Sequence, residues 1–140
     1  MKSFAADLRK FAQATERNLN DTVRQVVLEL GTRIVQRSPV DTGRFRGNWQ
    51  IAAGGPDVRT NEPFDKQALG SQPSATTFDR WKGEVNAATI GSTLYITNSL
   101  PYAARLEYEG WSQQAPAGMV RVTVTEYEQI IRQAIAKVKK

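Results

Sequence analysis

Residues 38–49, with the sequence SPVDTGRFRGNW, hold the densest group of side chains able to do chemistry. Arg44 and Arg46 flank Phe45, and a glycine stands on each side of the three. Arginines between glycines are typical of phosphate-binding loops, but such a loop needs the N-terminus of a following helix. The alternating pattern after Asn48 predicts a strand instead. The stretch therefore favours contact with an acidic protein surface or with nucleic-acid phosphates.

A rigid corner is predicted at the start of this stretch. Its residues are of the types that fix a chain reversal: Pro39, Asp41, Thr42 and Gly43. Acidic and hydroxyl side chains in such turns hydrogen-bond local backbone, and glycine adopts a positive φ that other residues resist. The corner is therefore expected to place Arg44 and Arg46 on one side of the entering chain and Phe45 on the other.

Two interpretations of this arrangement remain open. In the first, Phe45 packs in the core and both arginines are solvated. In the second, Arg44, Phe45 and Arg46 contact a neighbouring subunit or passing DNA, since arginine and aromatic residues are enriched at interfaces. Trp111, which follows a glycine in a loop, has the same two options: it fills the core or anchors a partner.

Residues for catalysis or metal binding are few. The chain has no cysteine and no histidine, which excludes thiol nucleophiles, histidine acid–base catalysis and zinc sites built on those residues. It also lacks nucleophile-elbow and phosphate-loop motifs. Glu107 and Glu109 point to different faces of a predicted helix, and Asp57, Glu62 and Asp65 lack the spacing of a calcium loop. We expect no enzyme, no cofactor and no metal.

A long amphipathic helix is predicted ahead of the corner. Apolar residues recur at steps of three and four from Phe4 to Ile34, which indicates one buried stripe, and Pro39 predicts an end near Arg37. Ser3 is expected to cap the start. Ion pairs are expected on the outer face: Asp7–Lys10, Asp21–Arg24 and Glu29–Arg33. At about 1.5 Å per residue the helix spans roughly 50 Å, a length that indicates support from another subunit.

Shorter elements follow the corner. Alternating patterns predict strands at 49–53 and 93–98. A short helix is predicted after Ser74, with Phe78, Trp81 and Val85 on one face, and another at 102–108, after Pro101 and before Gly110. At 120–138 the helical spacing extends further than the strand-like alternation of its first residues, so a final helix is predicted.

The polar segment between the first strand and the next helix, about 54–74, has no periodicity. It is predicted to be a mobile loop. The part from Pro56 to Pro73 is predicted to be disordered in the free protomer and ordered at an interface, because it has few apolar anchors.

Together these elements predict a single domain over residues 1–140. Its fold class is α+β, with a long N-terminal helix and a C-terminal helix packed on a small, mostly antiparallel sheet. Two strands are few for a stable sheet, so a third is expected from the corner, from the polar loop or from a neighbouring copy.

The charge balance and hydropathy bound the partners and the location. The net charge is +5, which permits contact with nucleic acid or an acidic protein and is also ordinary for solubility. The N-terminus lacks the apolar core of a signal peptide, and no apolar run approaches the length needed to cross a bilayer. We expect a soluble protein made in the cytoplasm of its host, with no membrane contact.

The order of these segments resembles a known family. A helix runs into SPVDTGRFRGNW, and LYITNSLPYAARLEYEGWSQQAPAGMV and a C-terminal helix come later. This order is similar to that of the tail-completion, or neck, proteins of long-tailed double-stranded DNA phages, the group that includes lambda's Z-type protein. The likeness covers nearly the whole chain, and the two motifs together are fairly specific. One departure is Glu109, which separates Tyr108 from the glycine that directly follows the tyrosine in the family pattern.

The resemblance implies a non-enzymatic virion component at the head–tail junction. Such a subunit would form a ring, six-fold by the same resemblance, against tail-tube, terminator or head-connector proteins. Its basic surplus would face passing double-stranded DNA. Two alternatives remain: a tail-tube terminator that caps polymerisation, and a small basic DNA-binding protein. The second would use four cations: Arg44, Arg46, Arg80 and Lys82.

Overall fold

The computed structural model describes residues 4–88 and 91–138, with side chains in the first helix described from Leu19 onward. The element bounds are α1 Phe4–Arg37, α2 Arg44–Gly47, β1 Gln50–Ala53, α3 Ala75–Ala87, β2 Leu94–Thr97, α4 Ala103–Tyr108, α5 Val120–Val124 and α6 Tyr127–Val138. The α+β fold class predicted from the sequence is confirmed, with long N-terminal and C-terminal helices and a small antiparallel sheet. None of the described helices is long and apolar enough to cross a membrane.

Helix α1 forms the spine of the domain. Of the predicted ion pairs, Asp21–Arg24 and Glu29–Arg33 form, with nitrogen–oxygen distances of 3.5 and 2.9 Å. The outer-face placement is wrong for Arg33, which faces α6 and also contacts Glu126. The cap at Ser3 lies outside the described residues, as does the side-chain pairing of Asp7 with Lys10. Gly31 allows close packing, because a Cβ there would lie 2.9 Å from the ring of Trp81.

The sheet is one antiparallel pair, in which Gln50 lies opposite Thr97 and Ala53 opposite Leu94. Both strands were predicted. The expected third strand does not come from the corner or the polar loop, since among the described residues only β1 and β2 form a sheet. A strand from a neighbouring copy stays a prediction. Within the chain, helices take the place of a third strand: α3 packs on β1, and Ile51 and Trp81 are buried in one core with Ile34 of α1.

A chain of hydrogen bonds joins these layers. The indole Nε1 of Trp81 in α3 donates to the carbonyl oxygen of Trp49 at 2.9 Å. The indole Nε1 of Trp49 donates to Oγ of Ser38 at 2.9 Å, and that hydroxyl donates to the carbonyl oxygen of Ile34 at 2.8 Å. Both indoles thus have polar partners inside the core.

Ser74 caps α3 as predicted, since its side chain accepts a hydrogen bond from the backbone N–H of Thr77.

The C-terminal segment is helical, as predicted, with a break between α5 and α6. Helix α6 runs back along α1: Glu126 lies 2.6 Å from the Arg37 guanidinium, whereas Lys137 shares a surface cleft with Asp21. Buried Ile130 and Ala134 of α6 pack with Val26 of α1 in a second small core.

Candidate functional site

The predicted corner exists and depends on Gly43. This residue has a φ of 86°, and the Oγ1 of Thr42 accepts a hydrogen bond from the Arg44 backbone N–H at 3.2 Å. The chain then forms the short helix α2, so the expectation that a strand follows the corner directly is wrong. Tight packing explains why this position is a glycine, because a Cβ there would lie 2.4 Å from the backbone of Asp65.

The two arginines of the corner do not share a face. In the one-turn helix α2 side chains two residues apart diverge, so Arg44 is exposed while Arg46 is completely buried. The prediction that both lie on one side of the chain, opposite Phe45, is therefore wrong. Phe45 is buried in the main core. Arg44 alone of the three remains able to contact a partner through its charge.

Arg46 holds the polar segment 54–74 in place. Its Nη1 and Nη2 donate to the carbonyl oxygens of Ser71 and Gln72 at 3.0 and 2.8 Å, and Nη2 lies 3.5 Å from Oδ1 of Asp65. Burial lowers the pKa of Arg46, and the charge of Asp65 opposes that shift. The segment is thus anchored by buried charge rather than by apolar side chains. Its predicted mobility stays a prediction.

Asp65 connects this segment to the next helix. Its Oδ2 accepts hydrogen bonds from the Ser74 backbone N–H at 2.8 Å and from the Thr77 hydroxyl at 3.1 Å. The apolar residues of the segment point outward instead, because the side chains of Val58, Phe64 and Leu69 are all exposed. In this segment a carboxylate is buried and the apolar side chains are exposed, whereas folded proteins usually bury apolar side chains and expose carboxylates.

The second motif, residues 98–108, packs directly on the corner. The Asn98 side chain donates from Nδ2 to the carbonyl oxygen of Phe45 at 2.9 Å and accepts from the Leu100 N–H at 3.2 Å. The Tyr102 ring centroid lies 6.0 Å from that of Phe45, and Leu106 is buried. The two motifs that carry the family resemblance are therefore neighbours in space.

Glu107 links α4 to α5. Its carboxylate accepts hydrogen bonds from the backbone N–H groups of Met119 and Val120, the latter at 2.5 Å, so it serves the free amides at the start of α5. Glu109 is exposed. The two carboxylates diverge as predicted, and Glu107 has a capping role that the sequence did not indicate.

Trp111 and Gln114 complete a groove beside the corner. The side-chain amide of Gln114 pairs with the Val40 backbone, accepting from its N–H at 2.8 Å and donating to its carbonyl oxygen at 3.3 Å. Trp111 is 59% exposed, so it does not fill the core. Its ring lies 6.4 Å from that of Tyr102, and the Arg105 guanidinium stands 5.6 Å from its centroid.

We call the resulting depression the corner groove; its volume is about 740 Å³. It lies between residues 39–45 and residues 111–114, with Tyr102 and Leu106 also in its lining. Exposed Asp41 and Arg44 supply charges of both signs, and Trp111 supplies apolar area. Such a mixture suits a protein segment with an aromatic or acidic side chain.

The four cations of the DNA-binding alternative are not equivalent. Arg80 is half-buried; its Nη2 donates to the carbonyl oxygens of Gly47 and Trp49, and Nη1 lies 3.3 Å from Glu62. Burial lowers the pKa of Arg80, an effect that Glu62 opposes. Arg46 is likewise engaged internally, so Arg44 and Lys82 are the exposed members of the set.

Metal ligands were not predicted, and the described residues contain no cluster of three or more acidic groups able to hold an ion. Asp57 pairs with Arg59, whose hydrogen bond lowers the pKa of Asp57. Glu62 and Asp65 pair with arginines in the same way.

No family model, curated protein or solved structure matches this chain.

Several site residues were missed at the sequence level: Tyr102, Leu106, Gln114, Glu107 and Asp65. Tyr102, Leu106 and Glu107 belong to the second motif, so the motif itself was a usable signal. Gln114 carried none, since it bonds the Val40 backbone 74 residues away, and Asp65 carried none because it lies in a segment without periodicity.

Proposed function

We propose that this protein is a structural subunit of the head–tail junction of a long-tailed double-stranded DNA phage. It would act as a neck or tail-completion protein, finishing the tail so that it attaches to the DNA-filled head. The working form would be a ring, six-fold by the family resemblance, in contact with tail-tube, terminator or head-connector proteins. Catalysis is not part of this proposal.

One observation supports the proposal most. The two motifs of the resemblance are far apart in sequence, yet they build one surface feature, the corner groove. Asn98 ties β2 to the corner, and Tyr102 brings Phe45 and Trp111 into one aromatic group. An exposed tryptophan beside an arginine is the composition of an interface anchor. We therefore propose that the groove receives a segment of the adjoining virion protein.

The test is a joining assay with a matched pair of variants. Tails made without this protein are mixed with filled heads and purified protein, and joined particles are counted by electron microscopy. Wild-type protein should restore joining, and Trp111→Ala should lower the yield at least tenfold. Tyr108→Ala should not, because Tyr108 is equally exposed but lies outside the groove lining.

Other outcomes would favour the alternatives. Tails that are overlong and irregular without the protein would indicate a tail-tube terminator. Failure of wild-type protein to restore joining, together with duplex binding that weakens steeply with salt, would indicate a DNA-binding protein. The internal pairing of Arg46 and Arg80 argues against the second alternative, because Arg44 and Lys82 are the two exposed members of the four cations named for it.

A further inference from the structure

The apolar stripe of α1 extends beyond the helix that covers it. Val26 and Leu30 pack against α6 in the second core. Leu19 and Val23 lie seven residues earlier on the same helical stripe, but they are 61% and 40% exposed. The sequence continues the stripe towards the N-terminus with Phe11, Leu8 and Phe4.

The geometry of α6 explains why the cover ends. Its last described residue, Val138, lies in the same cleft as Asp21 and Arg24 of α1. Because α6 runs back along α1, the part of α1 from residue 4 to residue 20 continues past this end. We call this part the arm; at about 1.5 Å per residue it is roughly 25 Å long.

A second row of apolar side chains, which we call the outer stripe, lies on α5 and α6 beside the second small core. Its exposed members are Val124, Tyr127 and Ile135, while Ile131, between the last two at four-residue spacing, packs partly against that core. From Tyr127 to Ile135 the part of this outer stripe on α6 spans roughly 12 Å at about 1.5 Å per residue, and Val124 extends it onto α5. It is therefore short enough to be covered along its whole length by one arm.

We infer that the arm of one copy, which includes Leu19, packs together with Val23 on the outer stripe of a neighbouring copy. Within one chain, α6 packs along α1 as far as Val138. In the proposed contact, the α6 helix of a second molecule packs along the part of α1 beyond that point. This arrangement covers both exposed stripes with one repeated contact. Pairing of two arms would leave the stripe on α5 and α6 bare.

The contact joins different surfaces of two identical chains. Such a head-to-tail interface repeats around an axis and closes into a ring if the rotation permits. The inference rests on the proposed function in one respect: it identifies the contact that would build the proposed ring. Its test needs only the purified chain, whereas the joining assay tests the function.

The cysteine-free sequence allows a clean cross-linking experiment. Leu19→Cys and Ile135→Cys are prepared as separate proteins, one isotopically labelled, then mixed and treated with a short bismaleimide. The mixture should give a cross-link between position 19 of one copy and position 135 of another, and each variant alone should give little. The matched control mixes Asp21→Cys with Gln129→Cys, which are exposed positions off both stripes, and should give several-fold less product.

A second measurement uses assembly mass. Leu19→Glu and Tyr127→Glu should each shift the protein towards monomer in light scattering without loss of helical circular dichroism, whereas Gln129→Glu should not. Cross-linking of Leu19→Cys with itself would mean that arms pair with arms and would overturn the inference. So would a wild-type protein that stays monomeric at every concentration, or a mixture of the two cysteine variants that gives no cross-link between positions 19 and 135.

Discussion

Gly43 combines two constraints that can be measured separately. Its φ is positive, and a Cβ there would collide with the Asp65 backbone. Gly54 has a similar φ of 84°, but a Cβ added there would meet no other atom within 4 Å. Gly54→Ala therefore isolates the backbone cost, about 1–3 kcal/mol, while Gly43→Ala adds the collision.

We expect the urea midpoint of Gly43→Ala to fall well below that of Gly54→Ala. The free energy of unfolding, extrapolated with a common slope, gives the difference. Equal losses in the two variants would show that residues 65 and 66 yield easily, and that the corner does not depend on contact with the polar segment.

Arg46 and Arg44 provide a second comparison at single positions. Arg46→Ala leaves the Asp65 carboxylate buried without its cation, and breaking such a pair costs about 3–5 kcal/mol. Arg44→Ala removes an exposed charge and should change stability by about 0–1 kcal/mol. Thermal unfolding should separate the two variants clearly.

The double variant Arg46→Met, Asp65→Asn is the control for charge burial. It removes both charges and should recover part of the stability lost in Arg46→Ala. If Arg46→Ala melts like the wild type, the buried pair does not anchor the segment. The burial of Arg46 could not be predicted from the sequence, because its partners lie about 20 residues later and supply mostly backbone oxygen.

Among the helices and strands, those with strong local signals were predicted well. Helix α1 follows from apolar periodicity and Pro39, and α3 from the cap at Ser74. Helix α2 was missed because one helical turn leaves no periodic pattern. The third strand was expected because two strands form a weak sheet alone, and Trp81 in α3 meets that need by packing on β1.

The junction of α5 and α6 makes the packing of α6 on α1 sensitive to acid. Contact with the Arg37 guanidinium, and to a lesser degree with Arg33, holds the pKa of Glu126 below its ordinary value of 4.5. A carboxylate with a lowered folded-state pKa stabilises the fold above its unfolded-state pKa, and that contribution is lost as the pH falls through the folded value.

The melting temperature should therefore lose the contribution of Glu126 as the pH falls below about 4.5, the ordinary value. Glu126→Gln should lower it at pH 7 and lessen its decline in acid. Glu128→Gln is the matched control, because Glu128 is on the exposed face of α6. A Glu126→Gln variant with an unchanged acid profile would contradict the assignment.

For the whole molecule, the sequence predicted the fold class and the long terminal helices, because these depend on local patterns. It did not predict the corner groove. Arg44 and Trp111 come from segments more than 60 residues apart, and their approach depends on Asn98 and Gln114. The family resemblance pointed to both segments, but only their packing defines the corner groove.

The buried anchor at Asp65 has a consequence for amide hydrogen exchange. The Asp65 N–H donates to the carbonyl oxygen of Gly43 at 2.9 Å, and the Ser74 N–H donates to the Asp65 carboxylate. Exchange of such amides requires the segment to detach, which breaks the Arg46–Asp65 pair. In deuterated solvent these two amides should exchange at least tenfold more slowly than those of exposed Lys66 and Gln67. The polar segment would then release as one unit, and its charged centre would meet solvent only when the whole segment detaches.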